Sequence, residues 1–280
     1  MLIGLNLIVK IVILWYNNLM KNILITGACG GMGKATCEIL RQKGYNVFCL
    51  DYVDSDAENF YKVDVTNSQS ILDAFNAIST KVEYLDAIIH FAGIYKLDSL
   101  VEMQESEFLR IFDVNVFGIY RVNKIFMPLL KEKSRIIITS SELAPLEPLP
   151  FTGIYGITKT TIEKYAYSLR MELQLLGIDV VVIRPGAVDT GLLTDSTNAL
   201  EKFTDNTKLY QYNAQKFKDI VESVESKKIS TQKLAKLVLK SVEVKKPKYV
   251  YNINRNILLK LLNILPKKMQ TKVIKKILKS

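Results

Sequence analysis

The chain has 280 residues, 49% of them apolar, with 13 glycines and 7 prolines, which suits one large globular α/β domain and excludes a disordered chain. There is one histidine, His90, and three cysteines, Cys29, Cys37 and Cys49, so a His-rich metal site, a Ser-His-Asp triad and a disulfide framework lack material; no metal is expected, and the cysteine usage suits a reducing cytosol. The net charge of +10 is concentrated: eleven lysines and arginines and no acid lie between Val244 and Ser280, and the rest is near neutral.

Leu2 to Tyr16 is mostly apolar but is interrupted by Asn6 and Lys10, and it is shorter than the ~20 residues that span a bilayer. Three readings stand: sequence upstream of a true start at Met20, a membrane-associating anchor, or a cleaved signal that lacks a basic start and a small-residue cleavage site. Beyond Met20 short apolar runs alternate with amphipathic stretches. Strands are predicted at Asn22–Thr26, Asn46–Leu50, Tyr61–Val63, Asp86–His90, Arg135–Thr139 and Asp179–Ile183. Helices are predicted at Gly33–Lys43, Ser68–Ser79, Glu105–Lys131 as far as Pro128, and Gly153–Leu176. Runs such as Ile136-Ile137-Ile138 and Val180-Val181-Val182-Ile183 suit strands buried on both faces. The alternation implies a parallel sheet with helices on both faces, whose ligands bind at the carboxyl ends of the strands.

Thr26-Gly27-Ala28-Cys29-Gly30-Gly31-Met32-Gly33 joins the first strand to the first helix. Glycines serve where backbone turns tightly, approaches a pyrophosphate or packs closely, and the helix N-terminus offers N–H groups to phosphates. A strand before and a helix after make a dinucleotide site the better reading over a plain turn. Asp51 closes the second strand, where a carboxylate can accept from both ribose hydroxyls of an adenosine and would repel a 2′-phosphate, so NAD(H) is expected over NADP(H). An ordinary turn aspartate is the plainer alternative. Cys29 reads as a small residue fitting the loop.

Tyr155 and Lys159 stand at i and i+4, on one helical face. An ammonium near a phenol, with an oxidised nicotinamide, favours phenolate, and the tyrosine can then move the proton that accompanies hydride transfer. Ser140-Ser141 ends the strand before it, where a hydroxyl can bind a substrate oxygen. Asn115 lies in the long preceding helix.

Together these residues resemble the classical short-chain dehydrogenase/reductase family, from Asn22 to about Tyr251. Thr26-Gly27, Gly31 and Gly33, with Met32 beside them, match its cofactor loop, and Asp64-Val65 its adenine-contacting pair. Ala92-Gly93 matches the end of the Asn-Asn-Ala-Gly motif, and Asn115-Val116-Phe117-Gly118 the segment of the catalytic asparagine. Ser141, Tyr155 and Lys159 match the remaining active-site trio. Pro185-Gly186-Ala187-Val188-Asp189-Thr190 matches the segment at the nicotinamide end. The resemblance implies a Rossmann-type doubly wound parallel sheet, homo-oligomerisation, a nicotinamide ribose held by Lys159, and a proton-relay water supported by Asn115.

The chain departs from the family pattern in places. His90-Phe91 replaces two asparagines. Ser141 to Tyr155 is one residue longer than usual, which keeps Ser140 open. Asp51 to Asp64 is too short for the usual helix. Thr26-Gly27-x-x-Gly30-x-x-Gly33 also fits the extended, sugar-nucleotide-modifying branch, although the Pro185–Thr190 segment and the limited length after it favour the classical one. After Thr190, Leu192, Leu193, Phe203, Tyr210, Tyr212 and Phe217 form either an apolar lid or helix-packing positions.

Beyond Tyr251, Ile257, Leu258, Leu261, Leu262 and Leu265 form one apolar stripe, and Met269, Val273, Ile274, Ile277 and Leu278 a second after Pro266, with lysines on the other faces. An interfacial amphipathic helix on an anionic membrane fits, as does a helix docked on its own domain or a second subunit. Nucleic-acid binding fits poorly, since Arg255 is the tail's one arginine and no aromatics interleave. The expected organisation is an extension at 1–20, a Rossmann-fold catalytic domain at 21–254 and a basic amphipathic tail at 255–280. The expected activity is NAD(H)-dependent interconversion of a lipophilic secondary alcohol and its ketone, in the cytoplasm and in contact with membrane. The alternatives are an epimerase or dehydratase of sugar nucleotides and a non-catalytic NAD-binding scaffold.

Overall fold

The structure, a computed structural model, describes residues 21–225 and 227–279. The segment 1–20, with its three readings, lies outside the described residues. In chain order the elements are β1 (Asn22–Thr26), α1 (Gly31–Gln42), β2 (Asn46–Asp51), β3 (Phe60–Lys62), α2 (Ser68–Ser79), β4 (Leu85–His90), α3 (Glu105–Phe112), α4 (Gly118–Phe126), β5 (Leu130–Thr139), α5 (Gly153–Leu173), β6 (Asp179–Pro185), α6 (Gly191–Asn206), α7 (Gln211–Glu225), α8 (Thr231–Glu243), β7 (Val250–Ile253), α9 (Ile257–Ile264) and α10 (Lys267–Lys279). All strands pair in parallel, in the order β3-β2-β1-β4-β5-β6-β7. No helix intervenes between β2 and β3, as the short Asp51-to-Asp64 spacing predicts.

The central strands are apolar on both faces because both are covered. On one side Ile23, Ile25, Ile89, Ile137 and Val181 pack with Cys37 and Leu40 of α1 and Leu234 and Val238 of α8. On the other, Leu24, Phe48 and Ile88 pack with Ile71 of α2 and Val122 and Phe126 of α4. Ile136, Ile138, Val180 and Val182 pack on that side with Ile162 and Ala166 of α5. Burial of this aliphatic surface, at ~25 cal/mol per Å², is the main favourable term for the fold.

The long helix predicted over Glu105–Lys131 is instead broken. A π-turn over Asp113–Phe117 separates α3 from α4, a 3-10 turn covers Met127–Leu129, and β5 already begins at Leu130, which pairs with Leu85. The register shifts along this pairing, and Ser134 closes the irregularity by donating to the Leu85 carbonyl at 2.7 Å. The polar run Lys131-Glu132-Lys133 forms the exposed first part of β5, ahead of the strand predicted at Arg135–Thr139. The β7 strand was not foreseen.

Cys37 and Cys49, read as outside any disulfide framework, face each other in the core with sulfurs 3.3 Å apart, and all three cysteines are free thiols. Among the described residues no helix is long and apolar enough to cross a membrane.

Candidate active site

The strand order reverses between β1 and β4, and the carboxyl ends of β1, β4, β5 and β6 open onto one cleft. Its floor is the turn after β1. Gly27 has φ +70°, and a Cβ there would stand 2.5 Å from the Ala92 nitrogen. A Cβ on Gly33 would stand 2.0 Å from the Gly27 carbonyl oxygen, so only glycine lets α1 begin this close to β1. Gly30 is the N-cap of α1 and supplies no side-chain cap, which leaves the first N–H groups of the helix free for an anion. A Cβ on Gly31 would press Thr190 at 3.0 Å, which places the segment after β6 across the turn.

Asp51 is buried at the end of β2. Its carboxylate accepts from the Cys29 N–H at 2.8 Å and the Val53 N–H at 3.2 Å, so it is fixed on the glycine turn and keeps lone pairs for ribose hydroxyls. Asp64 follows β3 and is exposed, with Oδ1 accepting from the N–H and hydroxyl of Thr66. Val65 touches the Gly118 position that starts α4. Ala92 donates to the Thr26 hydroxyl at 3.4 Å, and Gly93 lies against the Asn115 side chain. These residues fit an adenosine at one end of the cleft and a pyrophosphate over α1.

At the other end, Tyr155 and Lys159 rise from the first turns of α5, both buried. Lys159 donates to the Thr139 carbonyl at 3.1 Å, and its nitrogen stands 5.5 Å from the centre of the Tyr155 ring. Burial lowers Lys159 to about 8. Burial pushes the Tyr155 phenol well up, and a hydrogen bond with the Ser141 hydroxyl pulls it partly back. The pair of serines is thus divided. Ser140 donates to Glu163 at 2.9 Å, and that carboxylate is also bound by the Arg184 guanidinium, whereas the Ser141 hydroxyl accepts from the Leu143 N–H at 3.2 Å and lines the cavity with Tyr155.

Asn115 is buried in the π-turn. It accepts from the Ile94 N–H at 2.8 Å, donates to the Ile94 carbonyl at 2.9 Å and reaches the Thr158 hydroxyl at 3.3 Å. It ties the loop after β4 to α5. His90, in place of a family asparagine, points away into a buried pair with Asn123 at 2.8 Å.

Met32, Pro185, Gly186, Val188 and Thr190 line the same cavity as Ser141, Tyr155 and Lys159. The apolar side chains of Ile94, Leu143, Leu149, Phe217, Ile220 and Leu259 line it too. Of the two readings of the segment after Thr190, Phe217 lines the cavity, while Phe203 and Tyr210 pack with Phe151 under it. Tyr212 is exposed, and the side chains of Leu192 and Leu193 lie outside the described residues. The tail stripes also divide. On α10, Leu278 and Ile274 join the Phe203 and Phe217 cluster, whereas on α9 Leu259 turns into the cavity.

Sequence reasoning missed Tyr95, whose ring lies 4.5 Å from that of Tyr155, and Glu142, beside Ser141, whose carboxylate accepts the Asn256 N–H at 2.6 Å. Both act through contacts far apart in sequence, for which no local pattern exists.

A glycine turn under a helix N-terminus, an acid closing β2 and a buried Tyr–Lys–Ser group define a nicotinamide-dinucleotide oxidoreductase. A family model described as short chain dehydrogenase matches residues 21–201, and the chain belongs to this family, of the classical type, which binds NAD or NADP and oxidises or reduces at CH–OH groups. Among its relatives, the 3-ketodihydrosphingosine reductase of Bacteroides thetaiotaomicron is 30% identical over 233 residues, covering 81% of this chain and 85% of that protein. Estradiol 17-beta-dehydrogenase 2 of Mus musculus is 30% identical over 231 residues, 76% of this chain and 58% of that protein. A short chain dehydrogenase family structure from Francisella tularensis superposes with a TM-score of 0.69 at 28% identity, covering 84% of this chain and 97% of that one.

Proposed function

We propose that the protein is an NAD(H)-dependent oxidoreductase that interconverts a lipophilic secondary alcohol and its ketone, of steroid-, retinoid- or acyl-like character, with Tyr155 as acid and base. The observation that carries this reading is that Tyr155, Ser141 and Lys159 line one largely apolar cavity, with the Lys159 ammonium 5.5 Å from the centre of the Tyr155 ring. The glycine turn from Gly27 to Gly33 would hold the pyrophosphate, Asp51 the adenosine ribose, Asp64 and Val65 the adenine edge, and Lys159 with Pro185–Thr190 the nicotinamide end. The bound dinucleotide supplies or accepts the hydride.

Every other step belongs to side chains. Ser141 hydrogen-bonds the substrate oxygen and orients it to Tyr155. In reduction Tyr155 gives its phenolic proton to that oxygen, and burial, which keeps the phenol protonated, readies it for that role. In oxidation Tyr155 must stand as the phenolate to take the alcohol's hydroxyl proton, and the positive charges of Lys159 and of an oxidised cofactor would favour that form. Asn115 holds the Ile94 loop, and Tyr95 on the Tyr155 ring excludes water from the reacting atoms.

Support for a lipophilic substrate comes from the apolar side chains of the cavity and from two relatives whose names denote a sphingoid and a steroid substrate. Such a substrate partitions into bilayers, so the reading carries contact with a membrane surface. Three free thiols suit a cytoplasmic setting. Exposed Phe117, Tyr120, Tyr167 and Met171, on neighbouring helical segments, support a homo-oligomer. A panel of long-chain ketones, keto-steroids and water-soluble ketones, followed by NADH absorbance, tests the function. Turnover confined to small polar ketones would refute the lipophilic class, and no turnover at all would refute the activity.

A further inference from the structure

The two apolar stripes of the tail meet different fates. The α10 helix is a structural part of the domain: Leu278 is buried among Phe203, Phe217 and Ala214, Asn213 donates to the Leu278 carbonyl at 2.6 Å, and Gln270 is buried against the end of α9. The α9 helix is held only along one side. At its start, Glu142 binds the Asn256 N–H and the Asn256 side chain caps the Leu258 and Leu259 N–H groups. Near its end, Asn263 accepts the Glu147 N–H at 2.6 Å. Leu259, one turn before Asn263, faces the cavity.

The opposite face is bare. Ile257 is 69% exposed, Leu258 69%, Leu261 55% and Ile264 77%. Positions i, i+1, i+4 and i+7 form one continuous ridge on a helix, and water-facing leucines and isoleucines in such a ridge mark an interaction surface. We propose that this ridge of α9 inserts among the lipids of an anionic membrane and sets the mouth of the catalytic cavity on the bilayer surface.

The charge of the tail that carries the ridge selects the occupant. Lys260 on α9 and Lys268, Lys272, Lys275, Lys276 and Lys279 on α10 are exposed, and residues 244–280 contain no acid. Each such lysine is attracted to anionic headgroups, an effect that decays over a Debye length. A second copy of the chain would bring the same lysines together and be repelled, and an apolar protein groove would leave them without partners. A membrane satisfies ridge and charge at once, the arrangement of an interfacial helix. Because Leu259 and Ile220 line the cavity next to this surface, a lipophilic substrate would pass from the bilayer to Tyr155 along apolar side chains. The proposal names the partner of the site described above and rests on that reading for its purpose.

The test uses the full-length chain and vesicles, without turnover. The wild type should sediment with vesicles of equal parts phosphatidylcholine and phosphatidylglycerol, less with phosphatidylcholine alone, and less at high salt. The variant Leu258→Glu/Leu261→Glu/Ile264→Glu should lose roughly tenfold or more of its vesicle partitioning, since each acid opposes both insertion and the anionic surface. Its NADH titration should match the wild type, because no α9 ridge residue touches the cofactor site. A second variant, Lys260→Gln/Lys268→Gln/Lys272→Gln, should weaken the salt-dependent part alone. The proposal is overturned if the wild type stays in the supernatant, if the Glu variant partitions as the wild type does, or if light scattering shows that the Glu variant changes oligomeric state instead. Vesicle binding without ketone reduction would overturn the catalytic reading and leave this one standing, and the reverse result would do the opposite.

Discussion

Replacing Asp51 by asparagine tests the cofactor preference at one atom. The carboxylate is buried and held by two backbone N–H groups, from Cys29 at 2.8 Å and Val53 at 3.2 Å, so it cannot swing away from an incoming ligand. A 2′-phosphate brought beside it sets like charges close together. One unit-charge pair at about 4 Å costs about 4 kcal/mol at an effective dielectric of about 20, and half of that after screening still corresponds to about thirtyfold in affinity. Wild-type protein should therefore bind NADH at least thirtyfold more tightly than NADPH. In Asp51→Asn the repulsion is gone, and one of the two N–H groups loses its acceptor, at a cost of about 1–3 kcal/mol. NADH affinity should fall while NADPH affinity rises or holds, so the ratio collapses from both ends. Fluorescence titration of both cofactors at low and high salt measures it. A preference ratio unchanged by the substitution, or equal affinities in the wild type, would refute the electrostatic argument.

Tyr155→Phe keeps the ring against Tyr95 and removes the hydroxyl from the cavity it shares with Ser141. Turnover should drop by about 100-fold to 10,000-fold with NADH binding intact, and near-normal kcat would end the acid–base assignment. Gly33→Ala forces a Cβ to 2.0 Å from the Gly27 carbonyl oxygen, so α1 must move off the turn. Thermal midpoint and NADH affinity should both fall, with a stability loss of at least about 1–3 kcal/mol; a variant that binds NADH normally would show that the turn is not the cradle. His90 is fully buried and lowered from 6.5 to about 4, so it stays neutral in the fold while the unfolded chain takes up a proton first. Stability should decline as pH falls from 6.5 toward 4, by up to about 3 kcal/mol, and His90→Gln should flatten that slope in urea titrations. Parallel slopes would count against the buried neutral imidazole.

What the sequence disclosed depended on whether a feature was local. The inner strands were legible because burial on two faces forces runs such as Ile136–Ile138, and the glycine turn because close backbone approach admits no other residue type. Tyr155 and Lys159 could be paired from their spacing alone. The π-turn over Asp113–Phe117 was invisible because one inserted residue barely disturbs a helical apolar pattern, yet it delivers Asn115 to the Ile94 loop. The β7 strand hides in Val250–Ile253 after a lysine-rich stretch, since what makes it a strand is its pairing with Val182–Pro185 across the sheet. The different surroundings of Ser140 and Ser141 were not legible in sequence because Glu163, which accepts from Ser140, lies 23 residues further along the chain. The tail carried two similar stripes, and only the aromatic pocket around Phe151 decides that α10 is the one that docks.

Lys159 yields the prediction least like an ordinary substitution. Its ammonium is buried, and among the described residues no carboxylate lies within ion-pair distance; it donates to the uncharged Thr139 carbonyl. Burial lowers it from 10.5 to about 8, so the folded protein binds that proton less readily than the unfolded chain. The sign follows directly. Below pH 8 both states are protonated and the fold carries the full penalty, of the order of 3 kcal/mol; as pH rises from 8 to 10.5 the penalty is relieved. An uncompensated charge of this kind serves no packing purpose, which is why its presence beside Tyr155 points to chemistry. Lys159→Met keeps much of the stem and removes the charge. It should abolish most activity and weaken NADH binding, yet raise the cofactor-free melting temperature at pH 7, and the gain should shrink toward pH 10. If Lys159→Met is instead less stable than the wild type at pH 7, the ammonium is a structural asset and its assignment as a charge held in place for catalysis fails.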